Sequence, residues 1–378
     1  MARKLSKLKI AQQKAEAAAK KTNEKIDELG NYTSSLYTSL TTIQSLFDNI
    51  RNVPEENMLK YNKLKAIRVK WKQQAEKIEL EYKKAEVKAA GQGAAGVGAG
   101  VAVAALGPSA AMGIATTFGV ASTGTAISAL SGAAATNAAL AWLGGGALAA
   151  GGGGMAAGSA FLALAGPVGW AIAGVSVAAS GLMFIKTKSD KERLEKIYTL
   201  ISERDIKSYE LAIVELSERI SRIINESEKL KEAIVKIGTF GTDYTKMTQA
   251  QQYELGAYVN LMEASTMLLI NPILGLQPKY SEQDFDTLCA SEDEENRQYF
   301  EDHKTMVFSM SNLLYKIELD DKDKKLLAKS LKKNKDFLSS VHMSKKEFGV
   351  DDILMIEKAL NHKYKYLSLI HISEPTRP

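Results

Sequence analysis

Residues 158–185 read GSAFLALAGPVGWAIAGVSVAASGLMFI, and they close a longer stretch, residues 89–185, that contains no Asp, Glu, Lys, Arg or His. Most of the 28 glycines of the chain lie in this stretch, whereas the sequence on both sides is densely charged. A charged side chain at the centre of a bilayer costs roughly 2.5–3.5 kcal/mol. The exclusion of charge from so long a stretch therefore predicts a segment that meets lipid.

Helix breakers divide this uncharged segment at residues 107–108, 144–146, 151–154 and 166–167. The apolar pieces between them are helical in composition, and residues 158–185 exceed the ~20 residues that one bilayer crossing needs. Without a hydrophobic force between helices in lipid, small residues allow close backbone approach. GxxxG spacings and large aromatic side chains therefore mark the residues predicted to insert. These are Gly96, Gly100, Trp142, Gly154, Gly158, Phe161, Trp170 and Phe184.

Two other interpretations of the uncharged segment stay open. It could be a buried hairpin inside a large soluble helical assembly, or a flexible low-complexity spacer. Its Trp and Phe side chains count against the spacer, because Gly/Ser linkers lack them.

Basic residues flank the uncharged segment on both sides, with Lys83, Lys84 and Lys88 before it and Lys186 and Lys188 after it. Residues 1–88 as a whole carry 19 Lys and Arg against 11 Asp and Glu. A basic flank suits attraction to anionic lipid, although a solvated helix face has the same composition. Because basic flanks stay on one side of a membrane, an even number of crossings, two or four, is expected.

The flanking sequences predict long amphipathic helices. Apolar residues recur in steps of three and four from Leu36 to Ile50, and again from Leu64 to Ala85, with Pro54 ending the first helix. Ser189 with Glu192 resembles a capping box that begins a return helix ending at Gly238. We expect the 56–88 helix and the return helix to pack antiparallel as a stalk that buries Trp71.

The remaining chain predicts further helices and no sheet, so the fold class is all-α. A buried helix ends at Asn271–Pro272, an acidic loop covers residues 282–295, and Lys-rich helices follow to residue 366. The predicted regions are N-terminal helices 1–88, the insertion 89–185, the return helix 186–240, a C-terminal helical region 241–366 and a tail 367–378. The tail, LSLIHISEPTRP, resembles a translated sequencing adapter.

The sequence contains no motif that indicates an enzyme. The four histidines form no metal-binding spacing, and neither a P-loop nor a GxSxG turn occurs. Cys289, the only cysteine, is expected to be buried or inert. We expect no catalytic, cofactor or metal site, and no nucleic-acid partner, because the basic residues are interleaved with acidic ones. The N-terminus lacks a signal-peptide core, so we expect synthesis in the cytoplasm and membrane association, or export by a signal-independent route.

The layout of residues 1–240, an uncharged small-residue insertion between long amphipathic helices, resembles the α-helical pore-forming toxins of the cytolysin A and haemolysin BL type. The glycine pattern also resembles glycine-zipper toxins and apolipoprotein L-like proteins. The resemblance implies that a soluble form shelters the insertion and that several copies assemble in a membrane after its release. We therefore expect a membrane-inserting, pore-forming or membrane-perturbing bacterial protein whose partners are the lipid bilayer and other copies of itself. The alternative is a membrane-anchored coiled-coil scaffold that binds a protein partner and forms no pore.

Overall fold

The computed structural model describes residues 7–91, 108–118 and 187–373. In these ranges the chain forms helices and turns, and its one bridge between extended residues is the isolated pair Arg51 and Asp243. The all-α fold class is therefore confirmed. Numbered over the described ranges, the α-helices are α1 (Lys7–Asp48), α2 (Glu55–Gly91), α3 (Pro108–Phe118), α4 (Lys188–Ile237), α5 (Gln249–Ile270), α6 (Glu282–Ser291), α7 (Glu294–Asp302), α8 (Lys304–Leu314), α9 (Asp321–Leu331), α10 (Lys335–Ser340) and α11 (Val350–Ser373).

The predicted turn after the first helix is confirmed. Helix α1 ends before Pro54 and α2 begins directly after it, because proline lacks the amide that a helix interior needs. The turn is fastened to the segment after α4 by backbone hydrogen bonds. The amide of Arg51 donates to the carbonyl of Thr242 at 2.9 Å, and the amide of Tyr244 donates to the carbonyl of Arg51 at 3.0 Å. These hydrogen bonds hold the C-terminal ends of α1 and α4 together.

Helix α4 begins two residues earlier than the sequence predicts. Its N-cap is Thr187, whose hydroxyl accepts a hydrogen bond from the amide of Asp190 at 3.3 Å. The predicted cap, Ser189, lies inside the first turn, so that prediction is wrong: Thr187 already satisfies an amide that would otherwise lack a partner. The predicted stop is confirmed, since Gly238 caps the C-terminus and donates its amide to Ile234 at 3.2 Å.

Helices α1 and α4 form the main pair of the bundle and run parallel. Leu8 and Leu194 share one core near their N-terminal ends, and the Arg51–Thr242 hydrogen bond joins their C-terminal ends. Helices α2 and α5 run in the opposite direction. The prediction that α2 is the principal partner of α4 is therefore wrong: α4 packs along α1, while α2 faces α3 and α5. The burial predicted for Trp71 is confirmed, since its side chain is 0% exposed.

Two hydrophobic cores share α4. The bundle core joins α1, α2, α3, α5 and the second half of α4. The C-terminal core joins the first turns of α1 and α4 to the helices from α6 to α11. One continuous helix thus links the uncharged segment, the bundle and the C-terminal region.

The predicted acidic loop at residues 282–295 is wrong, because the chain there forms α6 and the start of α7. Ser281 and Asp284 make a capping box in which each side chain accepts a hydrogen bond from the other residue's backbone amide. Asp293 caps α7 by accepting from the amide of Asn296 at 2.9 Å. The acidic residues stabilise these helix N-termini, where negative charge is favourable. The predicted end of the buried helix is confirmed, since α5 stops at Ile270.

Candidate functional site

Most of the predicted insertion residues lie outside the described part of the chain: Gly96, Gly100, Trp142, Gly154, Gly158, Phe161, Trp170, Phe184 and the flanking Lys186. The basic residues before the segment, Lys83, Lys84 and Lys88, lie in the last turns of α2. Lys188 is the first residue of α4, with a 92% exposed side chain 3.9 Å from the carboxylate of Glu192. Because α2 and α4 run in opposite directions, both connections to the uncharged segment point toward the same end of the bundle.

One piece of the uncharged segment is described, and it is buried in the bundle. Helix α3 begins at Pro108, a predicted breaker that occupies the first helical position, which proline tolerates. The seven residues 111–117 are all buried, among them Ile114 and Ala115 at 0% exposure. Helix α3 packs on α1, α2 and α5. We call this surface of α1, α2 and α5 the α3 seat.

The α3 seat depends on two glycines that face each other. A Cβ atom added to Gly113 would lie 2.3 Å from the carbonyl oxygen of Ile26 and 3.0 Å from the Cα of Gly30. No side chain fits in that space, so α1 and α3 cross with their backbones in contact. Because Gly113 has no side chain, the backbone of α3 can lie directly against that of α1 at this crossing.

The α3 seat is also connected to the segment just after the C-terminal end of α5. The amide of Ile273 donates a hydrogen bond of 2.8 Å to the carbonyl of Thr117 near the end of α3. The hydroxyl of Thr117 in turn donates to the carbonyl of Gly113 at 2.8 Å. One backbone hydrogen bond therefore joins the end of α3 to the segment that follows α5.

Several buried polar atoms at the α3 seat lack a hydrogen-bond partner within the described part of the chain. They are Oδ1 of Asn23, one turn before Ile26 on α1, Oγ1 of Thr33, one turn after Gly30, and Oγ1 of Thr116 on α3. A buried polar atom without a partner costs roughly 1–3 kcal/mol. The contact between α1 and α3 is therefore tightly packed, and some buried polar atoms beside it have no protein partner in the described ranges.

A buried arginine holds α1, α2 and α5 together beside this seat. Arg68, 3% exposed, donates to the side chains of Gln44 on α1 at 2.7 Å and Thr266 on α5 at 3.2 Å. Burial lowers its pKa, against the opposing effect of Tyr61, Tyr37 and Asp48. Sequence reasoning missed Arg68, although its place four residues after Leu64 on the apolar face signalled a buried charge.

A buried ion pair, also missed by sequence reasoning, lies where the two cores meet on α4. Asp205 is 1% exposed and accepts hydrogen bonds from Arg204, at 2.6 and 2.9 Å. Arg204 also donates to the carbonyls of Leu313 and Tyr315, at 2.9 and 2.8 Å. Burial raises the pKa of the Asp205 carboxyl, and Arg204 opposes the shift only in part. Arg204 thus ties α4 to the C-terminal region.

In the described ranges one helical stretch, residues 249–276, is long and apolar enough to cross a membrane. It comprises α5 and the turn after it, and 56% of its most apolar part is buried within the bundle. Burial of that extent is typical of the core helix of a soluble protein as well. The stretch is therefore a candidate span by length and composition alone.

The described residues contain no group of three His, Cys, Asp or Glu side chains that could hold a metal ion. Cys289 is buried, as predicted, at 8% exposure. Burial and the nearby Glu301 and Asp286 raise the pKa of its thiol, so the reactive thiolate is disfavoured. The expectation that the chain is not an enzyme stays a prediction.

The α3 seat is thus the described site that bears on the uncharged segment. Comparison with known proteins found no relative of the chain. No family model, no curated protein and no solved structure matches the chain.

Proposed function

We propose that this chain is a membrane-inserting protein whose charged helices shelter part of an uncharged segment until that segment enters a bilayer. The observation that carries the proposal is the burial of α3, which belongs to the uncharged segment, against charged amphipathic helices. An apolar segment of this length would aggregate if it were exposed, because soluble proteins rarely expose large apolar patches. The bundle buries at least residues 111–117 away from water.

The α3 seat is suited to release. Its closest contact is between backbones at Gly113 and Gly30, and three polar atoms near that contact gain no hydrogen bond there. The helices that form the rest of the bundle are joined independently of α3, through Arg68 and through the α1–α4 pair. Removal of α3 therefore leaves the remaining helices with their own connections.

In the bilayer we propose that several copies associate through small residues such as the pairs Gly96 with Gly100 and Gly154 with Gly158. Close backbone approach replaces the missing hydrophobic force between helices in lipid. The basic flanks at Lys83, Lys84, Lys88 and Lys188 stay on one side of the membrane, so the segment crosses an even number of times. Association of several such hairpins would perturb or perforate the bilayer.

The second candidate is a membrane-anchored scaffold without pore activity. This candidate is favoured by residues 249–276, which are long and apolar enough to span a membrane and lie outside the uncharged segment. In that case the helical surfaces would bind a protein partner, and the anchor would fix them at the membrane. The two candidates differ in whether binding is accompanied by leakage.

Dye release from liposomes, measured together with co-sedimentation, separates the two candidates. We expect the purified protein to bind and to release dye, with a rate that rises more steeply than the protein concentration because several copies assemble. Binding without release would support the scaffold and contradict the proposal. The variant Phe161→Lys places a charge in the uncharged segment and should abolish release. Its matched control, Leu59→Lys, changes a leucine that is already 75% exposed on α2 and should release dye normally.

A further inference from the structure

A stripe of lysines covers the solvent side of α9 after its first residue, the exposed Asp321, and continues to the start of α10. Every exposed residue from position 322 to position 335 is a lysine, while Leu327 and Leu331 between them face the C-terminal core. Ordinary surface helices mix both signs of charge, so this run is unusual for a solvated face. The lysine stripe consists of Lys322, Lys325, Lys329, Lys333 and Lys335.

Among the described residues, three of the five lysines in the stripe have no carboxylate in salt-bridge contact. In the part of the chain that the structure describes, Lys325, Lys329 and Lys335 form no salt bridge, whereas Lys322 pairs with Asp190 at 2.9 Å. Of the two acidic side chains of α9, Asp323 is engaged by Arg193 of α4 at 2.8 Å and Asp321 lies 3.6 Å from the amino group of Lys324. The stripe therefore presents a net positive field to solvent.

The lysine stripe lies beside the point where the uncharged segment joins α4. The Lys322–Asp190 pair places the start of α9 three residues from the N-cap Thr187. Further along, the hydroxyls of Tyr198 on α4 and Ser330 on α9 are 3.3 Å apart, so the two helices run side by side. The exposed Lys188 and Lys191 of α4 extend the positive surface to the segment itself.

We propose that the lysine stripe is the surface by which this protein first docks on an anionic lipid bilayer. The inference rests on the proposed function, because it names the lipid class that the inserting chain meets. A polybasic surface is attracted to anionic headgroups without needing a shaped pocket, and lysine serves as well there as arginine. Docking through the stripe would bring the first turn of α4, and with it the end of the uncharged segment, to the headgroup layer.

A nucleic acid is the other polyanion that could meet such a stripe. The exposed positions of the stripe contain neither arginine, whose planar fork suits phosphate, nor an aromatic ring for stacking on bases. The adjoining segment of the chain is uncharged and apolar, which suits a bilayer and not a duplex. The observations therefore favour lipid.

The test is equilibrium binding to vesicles of phosphatidylcholine alone and of phosphatidylcholine with phosphatidylglycerol, at physiological salt. The variant Lys325→Gln, Lys329→Gln, Lys335→Gln removes three charges at exposed positions that glutamine tolerates in a helix. We expect roughly fivefold weaker binding to anionic vesicles for each lysine removed, about a hundredfold in all. The matched control, Lys63→Gln, Lys231→Gln, Lys246→Gln, removes three exposed lysines outside the stripe and should bind like the unaltered protein.

Equal binding to both kinds of vesicle, or equal losses in the two triple variants, would overturn the docking surface. So would a stripe variant that loses binding to a short DNA duplex and keeps its binding to anionic vesicles. A melting temperature matched to the unaltered protein shows that each variant is folded. Failure here is distinct from failure of the proposed function, because the former is read from binding and the latter from dye release.

Discussion

At the residue scale, Gly113 has no room for a side chain. Its missing side chain allows the backbone of α3 to touch Ile26 and Gly30 of α1. The backbone of α1 is also held by α4, which packs along it. A single methyl group at this position is therefore enough to push α3 from its seat.

We predict that Gly113→Ala loosens α3 without unfolding the bundle. The added Cβ would lie 2.3 Å from a backbone oxygen, so α3 must shift. Limited proteolysis should cut residues 92–120 faster, and dye release should begin at lower protein concentration. The matched control is Gly256→Ala in α5, where an added Cβ meets nothing within 4 Å. That variant should be as stable as the unaltered protein or slightly more stable, because alanine favours a helix over glycine. Identical behaviour of the two variants would contradict the seat.

Trp71 gives the second residue-scale prediction. Its ring is 0% exposed and lies 5.3 Å from the ring of Tyr37 across the α1–α2 hairpin. Trp71→Ala should lower the free energy of unfolding by about 3–5 kcal/mol, as large-to-small changes in cores do. Urea denaturation followed by circular dichroism measures the loss. Tyr253→Ala, at a position that is 80% exposed, is the control and should change stability by less than about 0.5 kcal/mol. A loss of equal size in both would show that Trp71 is not a core residue.

The third residue-scale prediction concerns pH. Burial raises the pKa of Asp205 in the folded protein, so the folded state favours the protonated carboxyl. The ionised group therefore costs stability, and this cost grows as the pH rises from the unfolded value, near 3.8, through the folded pKa. Asp205→Asn carries no such charge, so its melting temperature relative to the unaltered protein should increase between pH 4 and pH 7. A difference that shrinks over this range would mean that Arg204 outweighs burial.

At the element scale, the start of α4 decides where the uncharged segment ends and the charged chain begins. The hydroxyl of Thr187 caps the helix, and Ser189 is exposed within the first turn. Thr187→Ala should therefore cost about 1 kcal/mol of stability, whereas Ser189→Ala should be close to neutral. Chemical denaturation of the two variants measures the difference. The reverse order would restore Ser189 as the cap.

The elements that the sequence predicted well are those with local signals. The 3/4 spacing from Leu36 to Ile50, the stop at Pro54 and the end of α4 at Gly238 each depend on neighbours along the chain. The acidic residues 282–295 were misjudged because composition suggested a loop, whereas Ser281 and Asp284 supply a capping box that starts a helix. In that region the hydrogen bonds of particular side chains outweighed the average charge.

The partners of the helices could not be predicted from the sequence. The apolar faces of α1 and α2 are alike in composition, so periodicity could not show that α4 packs on α1. The α3 seat could not be predicted from the sequence for a related reason. In a segment rich in glycine, the sequence does not distinguish Gly113 from the other glycines. Its role is visible only in the structure, where the carbonyl of Ile26 lies against it.

At the scale of the whole molecule, α4 connects the uncharged segment, the C-terminal core and the bundle. Its first turn receives the uncharged segment, its first half belongs to the C-terminal core beside the lysine stripe, and its second half belongs to the bundle that holds α3. A docked C-terminal region would therefore place the α3 seat at a fixed position relative to the membrane. The central claim is that α3 must leave this seat before the membrane is perturbed.

A disulfide between α3 and the turn after α5 tests that claim most directly. Thr117 and Ile273 are joined by a backbone hydrogen bond of 2.8 Å, which holds their Cα atoms close to the ~4.4–6.8 Å that a disulfide requires. The variant Thr117→Cys, Ile273→Cys is made together with Cys289→Ser, and thiol titration verifies that the bond has formed. We predict that the oxidised protein binds anionic liposomes without releasing dye, and that the same protein, once reduced, releases dye like the unaltered chain. Equal dye release from the oxidised and reduced forms would contradict the account.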